Sequence, residues 1–311
     1  MTISFKVSEP TIDKLKEFYE DLRREKTPAY AVFQAQDGDT VVTLYESGKI
    51  VFQGKDADLA SDFWVETEKM NNKNLTVNNS ENKDKKKDDI YIDPKIFNST
   101  SIGSDEVGTG DYFGPIVVTG AYVKKEDIPF LKDLGVTDSK KLDDTKILKI
   151  VPEIIKRIPY TTFILSNKKY NENYNNMNMN KIKAILHNKV LVDLTSKYKD
   201  TDYVVVDEFA KPYVYFSYLK ETPNVYRNIT FLTKGELKCL SVACASLISR
   251  YVFIKEFNKL SNEIGFNLPK GASTSVDEIG SAIVKKYGFD KLNEIAKINF
   301  KNTEKIKDLL K

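Results

Sequence analysis

The sequence predicts an α/β protein in which a mixed sheet is covered by helices and preceded by a smaller α+β unit. Three observations lead there. Strand-like runs at 99–105 and 116–123 flank a glycine-rich turn, which favours antiparallel pairing. Later apolar runs alternate with long helical patterns, as when strands are added in parallel through helical crossovers. Between residues 66 and 90 the composition turns to Asn, Lys and Asp, setting an earlier α+β pattern apart from the rest.

In the first unit, residues 1–65, Ile3, Phe5 and Val7 alternate as a strand does. Thr11 offers a helix cap, and Ile12, Leu15, Phe18, Tyr19 and Leu22 follow at helical spacing. Strands are predicted at 30–36, 41–45 and 49–53, separated by Asp37-Gly38-Asp39 and Glu46-Ser47-Gly48, with Phe63 and Trp64 on a closing helix. Residues 66–90, with Lys85, Lys86 and Lys87 in a row, are too poor in apolar side chains to fold and read as a solvated tether. Residues 91–311 form the large domain. It has five strand-like runs, at 99–105, 116–123, 160–166, 203–207 and 225–232. Helices are predicted at 139–155, 178–198, 237–257, 276–287 and beyond 290.

Composition excludes several classes. Of 311 residues, 41% are hydrophobic, enough for a substantial core. With 48 basic and 45 acidic residues the net charge is only +3, so any nucleic-acid site must be a local patch. The two cysteines, Cys239 and Cys244, lie in an apolar helical stretch and read as buried free thiols of a reducing compartment. No apolar run reaches membrane-spanning length, and Met1 to Glu9 alternate and carry charge, unlike a signal peptide. A cytoplasmic monomer without membrane contact is the expectation.

A single histidine, His187, excludes histidine-cluster metal sites, and no P-loop motif is present. Carboxylate chemistry remains. Asp105-Glu106 ends one apolar-alternating strand and runs into Val107-Gly108-Thr109-Gly110-Asp111. Asp207 ends the continuous apolar run Tyr203-Val204-Val205-Val206, a pattern of buried central strands, and Glu236 follows Lys234-Gly235 ahead of an apolar helix. Carboxylates gathered at strand ends repel one another unless a cation lies between them. Hard divalent ions take such oxygen ligands, and a pair of them about 4 Å apart suits phosphodiester cleavage. The plainer reading, turn residues at strand ends, accounts for each acid singly.

The segment Gly103-Ser104-Asp105-Glu106-Val107-Gly108-Thr109-Gly110-Asp111-Tyr112-Phe113-Gly114-Pro115 closely resembles the first motif of the ribonuclease HIII family. Further matches follow in order: Gly135-Val136-Thr137-Asp138-Ser139-Lys140-Lys141-Leu142, Asn178-Met179-Asn180 with His187-Asn188, Val206-Asp207, Lys234-Gly235-Glu236 and Ala243-Cys244-Ala245-Ser246. Near the end, Leu268-Pro269-Lys270-Gly271-Ala272-Ser273 and Phe300-Lys301-Asn302-Thr303 fit as well. The first unit resembles one repeat of a TATA-binding protein, most visibly in Glu46-Ser47-Gly48-Lys49-Ile50-Val51. The resemblance implies a ribonuclease H-like mixed five-stranded sheet flanked by helices. The implied activity is hydrolysis of the RNA strand of RNA–DNA hybrids, with two Mg²⁺ or Mn²⁺ ions held by Asp105, Glu106, Asp207 and Glu236. The products would carry 5′-phosphate and 3′-hydroxyl ends.

The resemblance also implies that Gly108, Thr109 and Gly110 read 2′-hydroxyls, the group that distinguishes RNA from DNA. Type HII relatives have Gly-Arg-Gly there and Asp in place of Glu236, so Thr109 points to an enzyme that needs a run of ribonucleotides. Ser139 and Lys140 are candidates for phosphate contact, with helix capping an alternative for Ser139 and a solvated face for Lys140. Ser246 and Arg250, one helical turn apart, are candidates to face the nucleic-acid backbone. His187 reads as a hydrogen-bonded structural residue, and Asn178 as a helix cap. Three rival readings stand beside this one: a type HII-like enzyme cutting at single ribonucleotides, a non-catalytic nucleic-acid-binding protein, and a carboxylate nuclease acting on DNA alone.

Overall fold

The computed structural model describes residues 1–72, 75–80, 93–136, 142–174 and 177–311. The chain forms two compact units, one of Met1–Asp89 with Phe209–Ser217, the other of Ile90–Glu208 with Tyr218–Lys311.

The first unit is an antiparallel sheet with two helices on one face. Strands β1 (Thr2–Lys6), β2 (Ala31–Asp37), β3 (Thr40–Tyr45), β4 (Lys49–Gly54) and β5 (Asn78–Ser80) lie in the order β2-β3-β4-β1-β5. Helices α1 (Glu9–Phe18) and α2 (Ala57–Asn71) contribute Leu15 and Trp64 to a core with Phe5, Phe33, Leu44 and Phe52. Ser8, not Thr11, is the N-cap of α1; Thr11 is fully buried within it. Helix α2 carries residues 66–71, which composition had assigned to the tether, because Val65 and Thr67 are buried on its inner face. Residues 78–80 likewise pair with β1, whereas residues 73–74 and 81–90 of the expected tether lie outside the described residues. The segment Phe209–Ser217 belongs to this unit, where the Tyr213 hydroxyl donates to Asp37 (2.6 Å). Nothing in the hydrophobic pattern had indicated that.

The second unit opens with a short helix, α3 (Pro94–Phe97), and is built on five strands: β6 (Ser101–Val107), β7 (Ile116–Val123), β8 (Tyr160–Leu165), β9 (Tyr203–Asp207) and β10 (Thr230–Leu232). Their order is β10-β9-β6-β7-β8. The first three in sequence are antiparallel neighbours, and β9 and β10 add in parallel beside β6, so the expected mixed sheet is present. Only Thr230–Leu232 of the expected strand at 225–232 pairs. The intervening helices are α4 (Ile128–Asp133), α5 (Asp144–Arg157), α6 (Asn167–Tyr174) and α7 (Met179–Lys197), while α8 (Pro212–Tyr218) lies, but for its last residue, in the segment that belongs to the first unit. Helices α9 (Leu240–Ile264), α10 (Thr274–Tyr287), α11 (Phe289–Ile295) and α12 (Lys301–Asp308) follow β10. Helix α5 starts later than expected because Asp143 is its cap, accepting from the Lys146 amide (2.8 Å). Asn178 caps α7 in the same way.

Two glycines set how closely helices approach the sheet. A Cβ on Gly103 would lie 2.3 Å from the Val242 nitrogen, and one on Gly120 would lie 2.7 Å from Leu194. Helix α9 therefore lies against one face at β6 and α7 against the other at β7, each closer than a side chain would permit. Cys239 and Cys244 are free and buried. Among the described residues no helix is long and apolar enough to cross a membrane.

Candidate active site

Parallel pairing and the strand pleat place the candidate carboxylates. In the β6–β9 register Ser104 lies opposite Val206, so Asp105 and Asp207, one residue further on, stand side by side where that pairing ends. Side chains alternate between faces along a strand. Ser101, Gly103 and Asp105 face α9: the Ser101 hydroxyl donates to Ser241 (2.9 Å), and the Ser246 hydroxyl bonds to Asp105. Ser104 and Glu106 face α7. His187, fully buried, is hydrogen-bonded with Ser104 through Nδ1 (2.8 Å) and with Glu106 Oε2 through Nε2 (2.9 Å). Lys183 Nζ donates to Glu106 Oε1 at 3.1 Å. The neighbouring carboxylates Asp105 and Glu106 therefore stand on opposite faces of the sheet.

The fourth carboxylate arrives through a turn. After β10, Lys234 takes a left-handed conformation (φ 54°), which aims the Gly235 amide at Asp207 Oδ1 (2.7 Å) and brings Glu236 into the turn leading to α9. A Cβ on Gly235 would lie 3.3 Å from the same oxygen, so a bare backbone suits this position.

These positions are electrostatically costly. Burial, then the charges of Glu106 and Asp207, push Asp105 well above the usual carboxylate range. Burial raises Asp207 to about 6, with the Gly235 amide opposing and Glu236 and Glu106 adding to the rise. Glu106 goes the other way. Burial works to raise it, but the Lys183 ammonium and His187 outweigh that and hold it at about 2. The site thus contains two carboxylates that resist ionising beside one that is already compensated. An all-oxygen donor set of this kind fits a hard divalent cation, which would relieve the repulsion at Asp105 and Asp207. Among the described residues no three His, Cys, Asp or Glu side chains are gathered closely enough to hold an ion between them. Such an ion would complete its shell with water or substrate oxygens, as Mg²⁺ ordinarily does.

The loop after β6 begins at Gly108 (φ 88°), where a Cβ would lie 2.2 Å from the Pro115 carbonyl oxygen. That glycine is required by the turn itself. Gly110 is exposed, with nothing within 4 Å of its Cβ position, so its backbone is open to a ligand, and Thr109 is half-buried between the two. The loop is held from behind: Lys297, fully buried, donates to the carbonyls of Asp111 and Gly114, both at 2.7 Å. Ser246 is committed to Asp105, and Arg250 donates to the Leu142 carbonyl (2.9 Å). Ser139 and Lys140 lie outside the described residues. Lys183 and Lys297 were not singled out in the sequence. Lys183 had a signal, four residues before His187 and so on the same helix face; Lys297 had none beyond its place in an apolar stretch.

The chain is similar to known proteins in sequence and fold. Residues 102–303 match the family model described as Ribonuclease HII, and residues 2–76 match a domain of unknown function, DUF3378. The chain is 40% identical over 315 residues to Ribonuclease HIII of Bacillus mycoides, covering 100% of this chain and 99% of that protein. It is also 40% identical over 306 residues to Ribonuclease HIII of Bacillus licheniformis, covering 97% and 96%. Among solved structures, Bst-RNase HIII in complex with Mn²⁺ superposes with a TM-score of 0.68 at 36% identity, over 100% of this chain and 99% of that one. Ribonuclease H2 from Pyrococcus horikoshii matches 68% of this chain and 98% of its own at 25% identity, with a TM-score of 0.56. With relatives aligned along its whole length and a ribonuclease H sheet beneath the carboxylates, this chain belongs to the ribonuclease HIII family.

Proposed function

We propose that this protein is an endonuclease that hydrolyses the RNA strand of RNA–DNA hybrids with Mg²⁺ or Mn²⁺, using Asp105, Glu106, Asp207 and Glu236. The observation that carries the reading is the pair Asp105 and Asp207. Asp105, buried, and Asp207, half-buried, stand side by side where the β6–β9 pairing ends, each raised in part by its neighbours' charges. A fold gains nothing from that repulsion unless a cation is to be bound there. The Mn²⁺ complex of Bst-RNase HIII supports the choice of ion.

Divalent ions bound there, two during the reaction, would supply an activated water and charge stabilisation at the phosphodiester, leaving 5′-phosphate and 3′-hydroxyl ends. The chain's own residues do the rest. The Gly235 amide fixes one Asp207 oxygen, Ser246 orients Asp105, and Lys183 with His187 orients Glu106. Thr109 and the open backbone at Gly110 approach the ribose 2′-hydroxyls beside the cut, while Ser139 and Lys140 steady a neighbouring phosphate.

The first unit holds the substrate. Its helix-free face carries Lys6, Lys49, Gln34, Gln36 and Gln53 at outward-facing register positions, with no carboxylate among the outward positions of β1 to β4. Ammonium and amide groups on a broad surface suit a phosphate backbone read without sequence preference.

The test is cleavage of a labelled RNA–DNA hybrid with and without Mg²⁺, beside an all-DNA duplex and a DNA duplex with one ribonucleotide. Metal-dependent cutting of the hybrid alone is the expected result. Efficient cutting at the lone ribonucleotide would overturn the role given to Thr109, and cutting of all-DNA duplex would overturn the substrate assignment.

A further inference from the structure

Glu106 is a candidate ligand whose charge is already answered by an ammonium and an imidazole of the protein. Its Oε1 accepts from Lys183 (3.1 Å) and its Oε2 from His187 (2.9 Å). Both partners project from α7, on the sheet face opposite Asp105, and the two residues are 9% and 0% exposed. A buried ammonium beside a buried carboxylate is a strong, poorly screened interaction. To bind Glu106, a divalent ion must compete with an ammonium and an imidazole that hold both oxygens. The gathering of side chains agrees: no three acidic or histidine groups close around one point among the described residues. Asp105 and Asp207 stand together, whereas Glu106 is held toward the helix.

We propose that Lys183 is a built-in counter-cation that, with His187, withholds Glu106 from the metal and so sets how many ions the protein holds before substrate arrives. Lys183 is a positioning residue; it acts through Glu106. With Lys183 in place, the Asp105–Asp207 side takes an ion, and the Glu106 side fills only when substrate phosphate contributes further oxygens and negative charge. The arrangement keeps the site half-charged until a phosphodiester is present, so a second ion is drawn in by substrate. The proposal rests on the metal-dependent reading above.

The experiment is calorimetric titration of the substrate-free, full-length protein with Mn²⁺, for wild type, Lys183→Met, Lys183→Arg and Asp207→Asn. Lys183→Met keeps the length of the stem and removes the charge. It is expected to bind Mn²⁺ on the order of tenfold more tightly than wild type, or to bind an additional ion, because a positive charge beside the site has gone. Lys183→Arg is expected to behave as wild type, and Asp207→Asn to lose binding. A disruption of structure would weaken binding, so the sign separates electrostatic control from a merely structural role. Unchanged or weaker Mn²⁺ binding in folded Lys183→Met overturns the proposal. If Lys183→Met does not fold, Lys183→Gln replaces it with the same expectation. If neither wild type nor Lys183→Met binds Mn²⁺, the metal reading falls and takes the proposal with it. Binding by Lys183→Met alone supports both.

Discussion

Replacing Asp207 by Asn should destroy activity and stabilise the metal-free protein, two effects of opposite sign from one atom change. Asn keeps the shape and an Oδ1 acceptor for the Gly235 amide, which lies 2.7 Å away, and removes one negative charge. Burial and the neighbouring acids place Asp207 at about 6, against roughly 4 for an ordinary aspartate. That difference sets on the order of 3 kcal/mol against the charged form. Solvent at the partly exposed carboxylate reduces it to roughly 1–2 kcal/mol. The sign follows from proton linkage. The folded state holds the proton more tightly than the unfolded chain, so metal-free stability is highest in acid and falls as pH rises from about 4 through about 6. Glu106, held at about 2, stays charged between pH 5 and 7.5 and contributes little to that slope. In Asp207→Asn the fall should be smaller, with Asp105 supplying what remains. Thermal melts in EDTA at pH 5 and pH 7.5 measure this. The variant should melt roughly 3–6 °C above wild type at pH 7.5, and the gap should narrow at pH 5. Added Mn²⁺ should raise the melting temperature of wild type and not that of the variant, while hybrid cleavage falls about a thousandfold or more. A variant that melts with wild type at pH 7.5 would refute the electrostatic account. One that still cleaves at a tenth of the normal rate would refute the site.

The loop after β6 separates a turn requirement from a ligand requirement. Gly108→Ala should cost about 2 kcal/mol or more, from positive φ and the clash with the Pro115 carbonyl, whereas Gly110→Ala should melt like wild type yet bind hybrid less tightly. Equal melting temperatures for the two variants would sink this distinction. Lys6→Glu with Lys49→Glu, on the helix-free face of the first unit, should weaken hybrid binding and lower its salt slope by about 2 with kcat unchanged. A salt slope equal to that of wild type would remove that face from the interface. Burial pushes Lys297 down to about 7, so its proton is lost from the folded state first and wild-type stability should rise between pH 7 and 9. Lys297→Met should flatten that rise in thermal melts, and a variant with the same rise would show that another group titrates.

The periodic parts of the fold were legible because burial imposes them. The strands at 116–123 and 203–207 lie where the sequence put them, since a short, mostly apolar run rich in β-branched residues suits a strand buried on both faces. What failed to show were segments whose partners are distant in sequence. Phe209–Ser217 joins the first unit through Tyr213 and Asp37, 176 positions apart, and no periodicity carries that information. Polarity misled at residues 66–71, where a helix continues because one face of it is buried. At the candidate site, Asp105, Glu106 and Asp207 stood out as charges on apolar strands and Glu236 as a charge ahead of an apolar helix, but the partners of Glu106 did not. Strand alternation alone already requires that Asp105 and Glu106 part to opposite faces, and helical spacing alone puts Lys183 and His187 on one face of α7. Only the packing of α7 against β7, close enough to exclude a side chain at Gly120, brings those two residues onto Glu106. The site is therefore specified at two levels. Local sequence chooses the carboxylates, and the closeness of one helix decides that Glu106 is the one paired with Lys183 and His187.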